Sequence, residues 1–255
     1  MNVAKTESLV AQYQQAYQGL VDYKKYAYFA VTHHSTAIEG ATLSESQVIN
    51  LLEYGKPAAN KPFEHHQMVY DHYQAMLFVI NLSEQKTELT PLIIRQIGSK
   101  VMSNTGGLVN TIMGQYEIQK GDFRLSSVRA GTRTFPDYKK VPELIQKFCN
   151  ELNLVLKTNL DFQSQCEISF KAHFDFVSIH PFGDGNGRTS RLVMNYVQAY
   201  FNLPLAIINK QSRIAYINSL EGTREKDDIN IFYKFMWSQY EKFLLGELKK
   251  LDSSN

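Results

Sequence analysis

Twelve consecutive residues, His180-Pro181-Phe182-Gly183-Asp184-Gly185-Asn186-Gly187-Arg188-Thr189-Ser190-Arg191, hold an imidazole, one carboxylate, three glycines, an amide and two guanidiniums. Such a set suits phosphate chemistry. Glycines at 183, 185 and 187 permit positive φ and let main-chain N–H groups approach an anion closely. A helix opening near Asn186 would add free N–H groups and the positive end of its dipole. Arg188 and Arg191, three positions apart, share one face of that first turn. Cations there oppose the dipole at about 0.3–1 kcal/mol each when exposed. A bound polyanion reverses that cost, because guanidinium forks match phosphate oxygens. Asp184 suits a Mg²⁺ ion, which takes one or two carboxylates alongside substrate phosphates. His180 is fit to remove the proton of an attacking hydroxyl.

The flanking pattern says what positions this loop. Ile168, Ala172 and Phe176 recur every four residues before it, and Leu192, Val193, Tyr196, Val197, Tyr200 and Phe201 follow at helical spacing. The motif therefore reads as helix, tight loop, helix start. Far upstream, the stretch from Tyr23 to Glu39 lacks Pro and Gly, and Gly40 stands where a helix C′ glycine belongs. Glu39 then lies in a last turn, where the dipole disfavours an acid. A misplaced glutamate and two misplaced arginines suggest one another as partners.

Most of the remaining chain reads as helix. Thr42 and Glu45 give a capping-box pattern ahead of Val48, Ile49 and Leu52. Gly55 to Pro62 is a loop. A helix carrying Met68, Val69, His72, Tyr73, Met76, Leu77 and Ile80 follows. Thr90-Pro91 reads as N-cap and N1 of another helix, Pro142 opens a third, and a last long one starts near Ile229. Between Asn104 and Pro136, five glycines alternate with β-branched and aromatic residues, so short strands or a hairpin are expected.

At 255 residues with 44% hydrophobic content, the chain can bury a sizeable core as one large domain or one domain with a helical extension. A net charge of +2 gives no reason to expect nucleic acid or an anionic membrane surface. No segment approaches membrane-span length, and the first residues have no apolar h-region. Cys149 and Cys166 lie in apolar helical patterns and read as reduced, buried residues, which points to the cytoplasm. The pairs His33-His34 and His65-His66 have no metal-motif context, and adjacent helical residues point about 100° apart. They read as surface or partly buried histidines, and His173 reads as a packing residue.

The segment from His180 to Arg191 resembles the signature of Fic-domain proteins, H-P-F-x-D/E-G-N-G-R-x-x-R, at every defined position. The resemblance implies an all-α, mainly helical Fic/Fido fold with a small β-hairpin flap. It implies a protein adenylyltransferase (AMPylator) that moves AMP from ATP onto a Ser, Thr or Tyr hydroxyl of a target protein and releases pyrophosphate. Carried over by residue, His180 is the general base and Asp184 the Mg²⁺ ligand. Gly185, Asn186 and Gly187 form the anion hole, with Arg188 and Arg191 on the β- and γ-phosphates. Thr189 and Ser190 complete the ATP-binding segment, and Tyr216 is placed near the adenine.

Ser35-Thr36-Ala37-Ile38-Glu39-Gly40 resembles the family's inhibitory motif, S/T-x-x-x-E-G/N, in the class where the inhibitory helix precedes the catalytic core. By that resemblance Ser35, Glu39 and Gly40 are inhibitory residues, and Glu39 pairs with Arg191. The implied division is 1–88 for an N-terminal helical region with the inhibitory helix at about 24–40, 89–240 for the core and 241–255 for the C-terminal end. No winged-helix or repeat domain is expected after the core.

Gly121-Asp122-Phe123-Arg124 resembles the G-x-F/Y-R that leads into the family's flap. The flap tip is expected near Ala130, Gly131, Thr132 and Arg133, docking the target by strand addition. Many relatives form dimers, so a homodimer is an open option. Two alternatives stand beside adenylylation: a Fic enzyme that removes AMP or transfers another phosphate-containing group, and a silent nucleotide-binding adaptor or toxin-like module. Kinase-like members carry lysine where Gly187 stands here, and intact His180 and Asp184 weigh against a silent module.

Overall fold

The structure is a computed structural model and describes residues 2–20, 23–130 and 133–252. The first half runs through α1 (Val3–Ala16), α2 (Tyr23–Ile38), α3 (Glu45–Tyr54), α4 (Phe63–Glu84) and α5 (Pro91–Val101). Two short hairpins follow: β1 (Leu108–Thr111) with β2 (Gly114–Glu117), and β3 (Arg129–Ala130) with β4 (Arg133–Thr134). The second half is α6 (Val141–Leu156), α7 (Phe162–Ile179), α8 (Asn186–Tyr200), α9 (Arg213–Lys226) and α10 (Ile229–Asp252). The expected mainly helical chain with a small hairpin is what forms. No helix among the described residues is long and apolar enough to cross a membrane.

Helix α8 is the axis. From Arg188 to Gln198 every residue is buried, although this stretch contains Arg, Thr, Ser, Asn and Gln. Buried polar groups need partners, and α8 has them on its neighbours. Gln198 Oε1 accepts from Ala206 N at 2.9 Å, Gln198 Nε2 donates to Ser169 Oγ at 3.3 Å, and Tyr196 OH donates to Thr87 O at 2.6 Å. One apolar cluster joins α4, α5, α6, α7 and α8, and a second joins α1, α7, α9 and α10. Helix α2 packs on α3, α4 and α8, which carries its C-terminal end to the start of α8.

Local signals were mostly obeyed. Thr90 accepts from Ile93 N at 3.2 Å with Pro91 at the first helical position. The capping box of α3 sits two residues later than expected: Ser44 Oγ accepts from Gln47 N at 3.3 Å, and Gln47 Oε1 accepts from Ser44 N at 2.9 Å. Thr42 is engaged elsewhere, its main-chain N and Oγ1 lying 3.3 and 3.0 Å from His65 Nδ1. Two histidines go deeper than the sequence suggested. His33 is packed edge-on to His34 in α2, and His66 is drawn inward by Pro62 O and Ala58 N. Burial, with Lys210 nearby, pushes His33 down to about 4 and keeps it neutral. Cys149 and Cys166 are buried free thiols, and burial pushes Cys149 up to about 12.

Gly98 of α5 lets the motif loop dock. A Cβ there would lie 2.5 Å from Phe182 Cζ, and Phe182 is buried against Phe123 and Phe176. Gly98→Ala is therefore expected to overpack this contact and cost about 1–3 kcal/mol. A urea unfolding curve with an unshifted midpoint would contradict this.

Candidate active site

Helix α7 ends at His180, whose φ of 54° is left-handed, while its N–H still donates to Phe176 O at 3.1 Å. That turn directs the imidazole away from the helix and onto Phe135, with ring centroids 3.8 Å apart and planes at 22°. Asn186 closes the loop: its Oδ1 accepts from Phe182 N and its Nδ2 donates to Phe182 O, both at 2.9 Å. Its side chain is thereby fixed within the loop, and what it offers an anion is its main-chain N–H. Gly185 (φ 78°) starts α8 without a side-chain cap, so first-turn N–H groups face the loop opening. Asp184 stands at the rim, 66% exposed, 3.7 Å from Arg188 NH2.

Both motif arginines are 3% exposed. Arg188 reaches under the loop to Met102 Sδ at 2.9 Å and Val101 O at 3.5 Å. Arg191 turns toward α2, where Nε donates to Ser35 Oγ at 2.8 Å and NH2 donates to Ser35 O at 3.0 Å and Glu39 Oε1 at 2.7 Å. The two electrostatically misplaced groups, 152 positions apart, thus form one ion pair.

Glu39 is the C-cap of α2 rather than a last-turn residue. Gly40 (φ 103°) follows it, with Gly40 N bonded to Ala37 O and Ala41 N to Thr36 O. This is a Schellman turn, and it swings the carboxylate across the start of α8. A Cβ on Gly187 would lie 2.5 Å from Glu39 Oε1. The carboxylate therefore occupies ground at the positive end of α8 that only a glycine leaves open to an anion.

Burial alone would raise the pKa of Glu39, but Arg191, followed by Arg188 and Arg213, holds it below its ordinary value of 4.5. A depressed carboxylate stabilises the fold above its unfolded pKa and loses that contribution as pH falls through the folded one. Wild type should therefore be more stable than Glu39→Gln at pH 6. The difference should shrink on acidification below about pH 4.5, measured by denaturant unfolding at both pH values. A gap that persists undiminished at low pH would contradict the pairing.

Behind the arginines lies a buried polar layer. Tyr216, 2% exposed, bonds His173 Nε2 at 2.9 Å and abuts Arg191. As it stands the ring is covered, and nucleotide contact would require neighbouring side chains to move. Ser190 Oγ donates to Gly187 O at 2.8 Å and lies 3.3 Å from His173 Nε2, while Thr189 is fully buried. Burial, then the charges of Arg191 and Arg224, keep His173 neutral. On α4, Asp71 accepts from Asn104 N and Nδ2 at 2.7 and 2.5 Å and lies within the field of Arg188, and His72 meets Thr32 Oγ1 at 3.4 Å. Sequence reasoning passed over Asp71 and Phe135. An acid at an apolar helix position was a visible signal for Asp71, and nothing in the pattern marked Phe135. Of the expected flap tip, Gly131 and Thr132 lie outside the described residues. Ala130 and Arg133 face each other as a ladder pair.

A family model described as Fic/DOC family matches residues 88–198. The chain is 34% identical over 221 residues to a protein adenylyltransferase Fic of Drosophila willistoni, covering 87% of this chain and 42% of that protein. The same-named protein of Drosophila virilis is also 34% identical, with 43% of it covered. The chain thus spans less than half the length of these curated relatives. Among solved structures, a Fic domain containing signaling protein from Bacteroides thetaiotaomicron matches with a TM-score of 0.80 at 20% identity, over 97% of both chains. Fic-1 from C. elegans matches with a TM-score of 0.77 at 24% identity, over 99% of this chain and 72% of that one. At these identities the structural matches speak for the fold. With the family model and the relatives' sequences in agreement with that fold, residues 88–198 of this chain form a Fic/DOC-family domain.

Proposed function

We propose that the chain transfers AMP from ATP to a hydroxyl of a target protein and that Glu39 restrains it by occupying Arg191. The observation that carries the reading is the meeting of His180, Asp184, an uncapped helix start and two buried arginines in one loop. The relatives named protein adenylyltransferase support it. In the reaction, His180 takes the hydroxyl proton and the oxygen attacks the α-phosphorus. The bond to the β-phosphate oxygen breaks, and pyrophosphate leaves. The main-chain N–H groups at 185–187 and the guanidiniums of Arg188 and Arg191 stabilise the negative charge on the phosphates.

Asp184, exposed at the rim, fits a Mg²⁺ ion held jointly with nucleotide oxygens. Such an ion would neutralise phosphate charge. Among the described residues no group of three or more His, Cys, Asp or Glu gathers into a site of its own. The short β3–β4 ladder beside His180 offers a strand edge for the target segment, which main-chain pairing would hold with little demand on side chains. Buried free thiols suit a reducing compartment such as the cytoplasm.

Incubation with Mg²⁺ and ATP labelled at the α-phosphate, and separately at the γ-phosphate, tests the reading. Label should enter protein from the α position and leave as pyrophosphate from the γ position. Incorporation from the γ position would instead make the enzyme a kinase.

A further inference from the structure

Arg124 is 1% exposed and is the largest fully buried side chain among the described residues. Its hydrogen bonds tie together two parts of the chain that the reaction must keep in register. Nε donates to His180 O at 2.8 Å, and the Arg124 amide donates to Pro181 O at 3.0 Å. On the other side, NH1 donates to Ser126 O at 2.8 Å and NH2 to Pro136 O at 2.6 Å. Ser126 and Pro136 bracket the β3–β4 segment, and Phe135, adjacent to Pro136, carries the ring on which His180 stacks. The guanidinium thus spans the main chain of the base and that of its aromatic platform. Burying a cation against carbonyls rather than a carboxylate is costly unless its donors are well placed. Its planar fork suits three carbonyls in different directions, as a lysine ammonium does not.

We propose that Arg124 is a positioning residue: it fixes the flap base against His180, so that the imidazole faces the docked hydroxyl and the α-phosphate. This rests on the adenylyl-transfer reading for its catalytic consequence, but its geometric part does not. Arg124 stands in no hydrogen bond to the anion loop's glycines or to Arg188 or Arg191, so nucleotide affinity should be independent of it.

The test uses Arg124→Met and Arg124→Lys, each alone and combined with Glu39→Gly, with histidines isotope-labelled. The face of Phe135 shields the His180 ring, so its carbon-bound proton should resonate upfield in the parent and move toward the unstacked position in both variants. The buried His173 signal should stay, showing that the core is intact. In the Glu39→Gly background, kcat for α-phosphate transfer should fall on the order of 10²-fold, the loss expected of a misplacement of about 1 Å, with the KM for ATP little changed. Lysine should not rescue. An unmoved His180 resonance in a folded variant overturns the proposal. So does an unchanged kcat, a rise confined to the KM for ATP, or loss of the fold in both variants. If Glu39→Gly alone shows no transfer, the adenylyl-transfer reading fails, and the His180 resonance still decides the positioning role.

Discussion

Glu39→Gly is expected to raise α-phosphate transfer by about 10²-fold or more over wild type, while ATP affinity changes much less. In the structure Arg191 is held by three acceptors, two from Ser35 and one from Glu39. The Glu39 carboxylate lies over Gly187, where the first-turn N–H groups of α8 are directed. On the adenylyl-transfer reading, ATP entering this loop would meet a fixed negative charge and an arginine already committed. Its phosphates would then settle in a displaced pose, and a displacement of about 1 Å at the α-phosphorus suffices for a 10²-fold loss. Removing the carboxylate leaves Arg191 still bonded to Ser35 but free to receive an anion. Arg191→Ala should stay inactive even with Glu39→Gly, since the same guanidinium serves both states. Radiolabel incorporation from ATP labelled at the α-phosphate reads the effect. Equal incorporation by wild type and Glu39→Gly, with His180→Ala as the blank, would sink the idea.

His180→Ala should cost 10²–10⁴-fold in transfer, the range of general acid–base catalysis. Its imidazole is placed by the left-handed C-cap of α7 and stacks on the Phe135 ring, whereas the proposed anion donors are the main-chain N–H groups at 185–187 and the two arginines. ATP binding should therefore survive. Calorimetry showing that nucleotide affinity falls in step with activity would make His180 a structural element of the loop instead. The double variant with Glu39→Gly is the cleaner comparison, because wild-type turnover is expected to be low.

How much of this was legible in the sequence can be traced to range. The helix–loop–helix around 180–191, the N-cap at Thr90 and the C′ glycine at position 40 are set by residues within a turn of one another. Short-range periodicity and capping chemistry therefore announced them. The charge mismatch of Glu39 and the two motif arginines was also local, and it suggested them as partners because each end of a helix dipole asks for a compensating charge. The choice of Arg191 came from the family resemblance. The capping box of α3 slipped by two residues because a distant group, His65, claimed Thr42.

Tertiary structure alone decided the rest. That Asn186 closes the loop rather than facing outward, that Tyr216 is covered behind Arg191, and that Phe135 is the bed for His180 all depend on which segments α8 gathers around itself. The clamp of Arg124 follows from the same gathering. The sequence by itself determined the residue types of the loop and marked Glu39 and the motif arginines as candidate partners, since residue type and helical spacing carry both. The orientation of each side chain waited on packing. A buried polar group takes whichever partner the fold brings within about 3 Å, and no spacing along the chain encodes that partner.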